Sequence, residues 1–254
     1  PIIFRGLKSL TFANSQQQSL LRLAQEGISV YSPHTAVDAT PNAMGDWLCQ
    51  CAVPPTVPRP ATTTIYPNPS PPPEPNFENA GMGRMITFDS QVPLNDILQA
   101  IATGAFPGSP SRLGFSVAIP QGKTREDISI RSIAACPGSG SSILMKGGSP
   151  VADLLLTGEL SHHEALAAIE AGSVVVTLSH SNSERGFLKS HMRDALSAQL
   201  EGEWQKAVVD RMQVRGEEGK MLEEIFSDKS LQVDVSEQDR DPYDVVFWKD
   251  GQKV

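Results

Sequence analysis

The run Val174-Val175-Val176 is three β-branched residues in succession, ended by Ser179. It reads as a buried strand, because β-branched side chains suit a pleated surface packed on its faces. The same reading covers Arg84 to Phe88 (RMITF), Gly114 to Ile119, Ile128 to Ala135 (ISIRSIAA) and Ala152 to Thr157 (ADLLLT). Between these runs the apolar positions recur at helical spacing. Ser15 to Glu26 (SQQQSLLRLAQE) places Leu20, Leu21, Leu23 and Ala24 on one side, with Ser15 as N-cap and Gly27 as the stop. Pro93 to Ile101 (PLNDILQAI) opens on proline and carries Leu94, Ile97, Leu98 and Ile101. Ser161-His162-His163-Glu164 has the form of a capping box and opens a helix that stops at Gly172. Lys189 to Gln213 is a polar amphipathic helix with a break expected near Gly202, and Met221 to Phe226 a further turn. Ile28 to Tyr31 (ISVY), directly after the first helix, and Leu231 to Val235 (LQVDV) complete the expected strands. Helices alternating with buried strands predict an α/β fold with parallel pairing.

One stretch breaks the pattern. Residues 54–83 hold ten prolines between Pro54 and Pro75. Proline lacks an N–H and resists both helix interiors and central strands. The expectation is an extended, disordered insertion acting as a spacer.

Composition narrows the function classes. The formal net charge is −8 over 254 residues, which disfavours nucleic acid or an anionic membrane as a direct partner. No window approaches about 18 consecutive apolar residues, so no spanning helix is expected. Three cysteines, Cys49, Cys51 and Cys136, are too few for a disulfide framework and read as buried thiols of a reducing compartment. No targeting signal stands out, which leaves cytoplasm, nucleus and mitochondrion open.

The candidate chemistry lies where the strands end. His180 and Glu184 follow the Val174–Val176 run, four residues apart, and share a face if the segment is a helical turn. An imidazole and a carboxylate on one face suit zinc, manganese or iron, although the same spacing also occurs on plain exposed loops. After ISVY comes SPHTAVDATPNAMGDWL with His34, Asp38, Asn42 and Asp46. Loops beyond strand carboxyl ends collect ligand chemistry in α/β sheets. The alternative is a turn in which Asp38 caps a helix starting near Asn42. PGSGSSILMKG, after the Ile128–Ala135 run, is a tight strand-to-helix turn or a cradle of backbone amides. Asp239-Arg240-Asp241 reads as a solvated, salt-bridged turn.

Seven segments, in order, carry a family resemblance: PIIFRGLKSLT, HTAVDATPNAMGDWL, GMGRM, the Gly-Ser-Gly turn, LLLTGELSHHEAL, LSHSNSERGFL and VSEQDRDP. The chain resembles the Ngg-interacting-factor-three-like proteins, whose bacterial members are known as GTP cyclohydrolase 1 type 2 homologues, and its wording is of the eukaryotic kind. The resemblance implies an α/β protein of two lobes, with mixed sheets flanked by helices. Residues 1–54 plus 187–254 would form the first lobe, 55–85 the proline-rich linker and 86–186 the second lobe. It also implies two divalent ions (zinc, manganese or iron) in a cleft, held by Asp38, His180 and Glu184, with His34 orienting Asp38 or accepting a proton. His162 and His163 are not assigned as ligands. The family's His-His-Pro motif would put two more ligands immediately before Pro1, so the reading is of an N-terminally truncated member with impaired activity. The implied activity is metal-dependent hydrolysis. The competing implication is a non-enzymatic adaptor that binds a transcriptional coactivator, and either form is expected to self-associate.

Overall fold

A computed structural model of the chain describes residues 3, 5–106, 114–211, 227, 231–243, 245, 248–249 and 252–253. Its elements in chain order begin with α1 (Ser15–Gln25), α2 (Thr35–Ala39), α3 (Met44–Cys51), β1 (Thr63–Pro67), β2 (Gly81–Pro93) and α4 (Leu94–Gly104). Next come β3 (Ser116–Ala118), a 3-10 turn (Arg125–Asp127), β4 (Ser129–Ser139), α5 (Ser141–Leu144), β5 (Met145–Lys146) and β6 (Ser149–Pro150). Then follow β7 (Leu154–Glu159), α6 (His162–Glu170), β8 (Val174–Thr177), α7 (Asn182–Phe187), a π-helical turn (Leu188–Met192) and α8 (Arg193–Arg211). A small hairpin of β9 (Trp248–Lys249) and β10 (Gln252–Lys253) ends the described chain.

The sheet has six strands in the order β1-β2-β4-β7-β8-β3. β4, β7 and β8 run parallel, while β1 and β2 on one side and β3 on the other are antiparallel. The central strands share continuous apolar runs, Ile133 to Cys136, Leu154 to Leu156 and Val174 to Val176, because both faces are covered there. Ile133, Ala135, Leu154, Leu156, Val174 and Val176 point into the larger core, with Trp47, Leu48, Ile97 and Ile101 of α3 and α4. Their neighbours Ala134, Cys136, Leu155 and Val175 point the other way, into a smaller core with Leu144 and Ala168 of α5 and α6. The single-residue alternation inside continuous apolar runs is the period of two that a pleated strand imposes. The result is a mixed α/β sheet with helices on both faces. Among the described residues, no helix is long and apolar enough to cross a membrane.

The capping box forms as the sequence implies. Ser161 Oγ accepts from Glu164 N at 3.3 Å, and a Glu164 carboxylate oxygen accepts from Ser161 N at 3.0 Å. The other Glu164 oxygen accepts from the Ser141 hydroxyl, which ties α6 to the start of α5. Ser161→Ala therefore costs about 1 kcal/mol of unfolding free energy, within the range of about 0.5–2 for a lost N-cap. Urea denaturation checks this: an unchanged midpoint would show that the cap adds nothing.

Four expectations need correction. Ile28 to Tyr31 is not a buried strand: it pairs with no strand among the described residues, and Tyr31 is 87% exposed. Apolar β-branched composition favours extension, but a strand also needs a neighbour. Leu231 to Val235 likewise forms no strand. The proline-rich stretch carries regular structure, because β1 hydrogen-bonds to β2 in the register Thr63↔Met85 to Pro67↔Gly81. Proline is tolerated there because β1 lies at the sheet edge. Finally, α8 runs through Gly202 without a break, with nothing within 4 Å of the missing Cβ. An exposed helical glycine costs about 1 kcal/mol, too little to end a 19-residue helix. The turn expected over Met221 to Phe226 lies outside the described residues.

Candidate metal centre

The parallel strands β4, β7 and β8 deliver their carboxyl ends to one place, where an open α/β sheet puts its chemistry. β4 carries Gly138 next to its last residue, β7 ends in Glu159, and β8 leads through Ser179 to His180. Ser179 has φ 69, a left-handed conformation uncommon for a side-chain-bearing residue, which turns the chain sharply into α7. His180 Nε2 lies 3.6 Å from Glu184 Oε1. His180 Nδ1 lies 3.2 Å from Glu159 Oε1. The imidazole thus sits between two carboxylates, one on each ring nitrogen.

Glycine makes this possible. Gly138 has φ 63, and a Cβ on it would lie 3.0 Å from both His180 Nε2 and Glu184 Oε1. Its N–H donates to Ser183 Oγ at 2.8 Å, which fixes the β4 turn against α7. A Cβ on Gly158 would meet Gly138 O at 2.6 Å and His180 Cα at 2.9 Å, so the three strand ends approach backbone to backbone.

Asp241 supports the turn from outside the sheet. The reading of Asp239-Arg240-Asp241 as a solvated cluster holds for Asp239, which pairs with Arg185 at 2.8 Å. It fails for Asp241, which is only 6% exposed. One Asp241 oxygen accepts from Ser181 N at 3.3 Å and the other from Tyr243 N at 3.1 Å. A carboxylate satisfied by backbone donors at the opening of a helical turn is stabilising there, which is why this aspartate is buried.

Asp38 reaches the same region by another route. It belongs to α2 and does not cap a helix at Asn42; that backbone N–H donates instead to Asp46 Oδ2 at 3.0 Å. α2 is held by Arg84, a buried residue of β2 that is 2% exposed. Arg84 Nη2 donates to the carbonyls of Ala39 and Thr40, Nη1 to those of Gly81 and Gly83, and Nε to Asp46 Oδ2 at 2.7 Å. Every guanidinium N–H thus has an acceptor, and two of these are the residues that follow Asp38. His34 precedes α2 at φ 49 and is exposed.

Electrostatics group these residues. Burial pushes the Asp38 carboxyl above its ordinary value, and the nearby His34 and His180 draw it back down. Burial also raises Glu184, with His180 lowering it and Asp38 raising it further. The Cys136 thiol is pushed up to about 12, by burial first and then by the Asp38 and Glu184 carboxylates, so it stays protonated and is no nucleophile. All three cysteines are free. Among the described residues, no three His, Cys, Asp or Glu side chains are already drawn onto one point. The donor set still suits a divalent cation. The 3.6 Å between His180 Nε2 and Glu184 Oε1 is less than two metal–ligand bonds of about 2.1 Å each, so one ion can touch both.

Two residues that matter here were missed in the sequence. Glu159 had a signal: β7 and β8 pair in parallel with Thr157↔Thr177, an offset of twenty, which puts Glu159 beside Ser179 and His180. Arg84 had only its place in GMGRM. A cavity of about 670 Å³, lined by Trp47, Gln50, Arg59 and His191 among others, contains none of His34, Asp38, His180 and Glu184.

The description Duf34/NIF3 (NGG1p interacting factor 3) belongs to a family model that matches residues 1–213. Protein NIF3 homolog of Schizosaccharomyces pombe is 39% identical over 211 residues, spanning 80% of this chain and 67% of that protein. NGG1-interacting factor 3 of Saccharomyces cerevisiae is 33% identical over 218 residues, spanning 84% and 69%. Among solved structures, Staphylococcus aureus protein SA1388 matches with a TM-score of 0.63 at 18% identity, over 97% of this chain and 78% of that one. A Bacillus cereus protein related to NIF3 matches with a TM-score of 0.59 at 15% identity, over 97% and 81%. The two structures show likeness of fold. With the family model covering most of its length and two fungal relatives above 30% identity, this chain belongs to the Duf34/NIF3 (NGG1p interacting factor 3) family.

Proposed function

We propose that Asp38, His180 and Glu184 hold divalent metal (zinc, manganese or iron, as a centre of two ions) and that this centre serves metal-dependent hydrolysis of the GTP cyclohydrolase 1 type 2 kind. The observation that supports it best is the His180–Glu184 pair, 3.6 Å apart beneath a glycine whose missing Cβ leaves the donors open. Divalent ions so held supply Lewis acidity and lower the pKa of a bound water towards about 7. The chain's residues supply the rest. Glu159 accepts the Nδ1 proton of His180, which leaves the Nε2 lone pair for a cation and fixes the ring plane. Asp241 holds the turn that aims His180 and Glu184. Arg84 sets the position of Asp38 through the carbonyls behind it. His34 serves either to orient the Asp38 carboxylate or to accept a proton.

Metal titration by calorimetry after treatment with a chelator tests the proposal, on this chain and on one with two histidines placed ahead of Pro1. Binding of zinc or manganese that is lost in His180→Ala is the expected result. Failure of both chains to bind any divalent ion would end the proposal.

A second reading rests on one finding, that the Saccharomyces cerevisiae relative is named for interaction with NGG1. It makes this chain a binding partner of a transcriptional coactivator, self-associated, with no direct contact to nucleic acid. Pulldown with and without residues 69–75 separates an interface on the folded sheet from one on the prolines, since β1 is untouched by that deletion. Capture unchanged by the deletion, together with absent metal binding, favours the adaptor over the hydrolase.

A further inference from the structure

A second cavity, about 360 Å³, has His180 but not Glu184 among its described lining residues. Its volume lies at the small end of the range of about 300–1,000 Å³ for small-molecule pockets. Glu159, His180 and Asp241 line it, with apolar wall from Phe115, Leu160 and Tyr243. Tyr243 is 82% exposed. Glu159 spends one oxygen on His180 Nδ1, and its second oxygen has no partner among the described residues. Asp241 has both oxygens engaged by backbone N–H groups and contributes charge without needing a ligand. None of the described residues that line the cavity is Lys or Arg.

We propose that this cavity is a subsite for a small cationic group, an amidinium or ammonium, held by Glu159 against the Tyr243 and Phe115 rings. The chemistry follows from its walls. A carboxylate with one free oxygen accepts from N–H donors. An exposed aromatic face attracts a cation through its ring quadrupole. A pocket that pairs these with a second carboxylate, and has no Lys or Arg among its described lining residues, repels phosphate and carboxylate groups. The inference rests on the metal-centre reading only in giving the subsite its purpose: it seats the recognised end of a substrate next to His180, with the reacting end towards Glu184.

Benzamidine and benzoate test it, being the same ring with opposite charge. Binding is measured by calorimetry in the presence of a chelator, so the result stands apart from the metal titration. Benzamidine is expected to bind roughly tenfold more tightly than benzoate, as a pair of partly exposed charge interactions allows. Inorganic phosphate is expected not to compete. Glu159→Gln keeps an acceptor for His180 Nδ1 and is expected to reduce the preference to less than about threefold. Tyr243→Ala is expected to weaken benzamidine severalfold with the melting midpoint unchanged. Equal binding of the two rings, binding of neither, competition by phosphate, or a preference that survives Glu159→Gln would each overturn the proposal. Loss of metal binding with the benzamidine preference intact would remove the hydrolase reading and leave the subsite standing.

Discussion

Arg84→Met lowers the unfolding free energy by about 3–5 kcal/mol, the cost of removing one partner from a buried ion pair. The guanidinium is 2% exposed and joins three separate segments: Asp46 in α3, Ala39 and Thr40 behind Asp38, and its own strand at Gly81 and Gly83. Methionine fills much of the volume but satisfies none of these acceptors. Asp46, its side chain only 14% exposed, is left without its countercharge. That total includes the orphaned carbonyls, whose individual cost, up to about 1–3 kcal/mol, falls where water reaches them. Removing the acid as well, in Arg84→Met with Asp46→Leu, recovers only part of the loss, because the four carbonyls remain. Denaturation in urea, followed by fluorescence and circular dichroism together, measures this. A loss below about 1 kcal/mol would mean that water replaces the guanidinium at little cost. Full recovery in the double variant would mean that the ion pair alone mattered. Arg84→Met should also weaken any cation held by Asp38, since two of the lost bonds anchor the turn that carries it.

Glu184→Gln acts in two opposite directions. It lowers divalent-cation affinity by more than about 100-fold, since even residues behind the direct ligands are worth about 10–100-fold. It also stabilises the metal-free chain at neutral pH. Burial raises the Glu184 and Asp38 carboxyls above their ordinary values of 4.5 and 3.8, so the folded state holds these protons more tightly than the unfolded state does. An acid raised in the fold contributes stability while it is protonated. That contribution is lost as pH climbs from the ordinary value through the raised one. As pH rises through the raised values both carboxyls ionise at a cost to the metal-free fold, and glutamine removes one of them. Thermal melting in chelator from pH 4 to pH 8 should show the wild type losing stability as pH rises and the variant losing less. A variant that melts below the wild type at pH 7, or that binds zinc as tightly, would contradict the assignment of Glu184.

The elements read most directly from the sequence are those whose cause is local. The Val174–Val176 run, the Ser161–Glu164 box and the helical spacing of Leu94, Ile97, Leu98 and Ile101 each carry their signal within one or two turns of chain. The His180–Glu184 pair was legible for the same reason: it sits on one helical turn after one strand. Asp38 was legible only through the family resemblance, because what holds the turn behind it is Arg84, whose acceptors at Ala39, Thr40 and Asp46 are distant in sequence. Ile28 to Tyr31 was misread because β-propensity describes a side chain's fit to a sheet and says nothing about whether an adjacent strand exists. Asp241 looked like its charged neighbours, and only the backbone N–H groups of Ser181 and Tyr243 distinguish it.

The position of β1 has a consequence for how this chain behaves in concentrated solution. β1 forms the outer border of the sheet, with Pro60 shortly before it and Pro67 as its last residue. Neither proline can donate to an incoming strand from another molecule. A deletion long enough to take β1 with the prolines would bare the outer rim of β2, a thirteen-residue strand. Preparations of that shortened chain should thicken into fibrous, cross-β precipitates from which the full chain is spared.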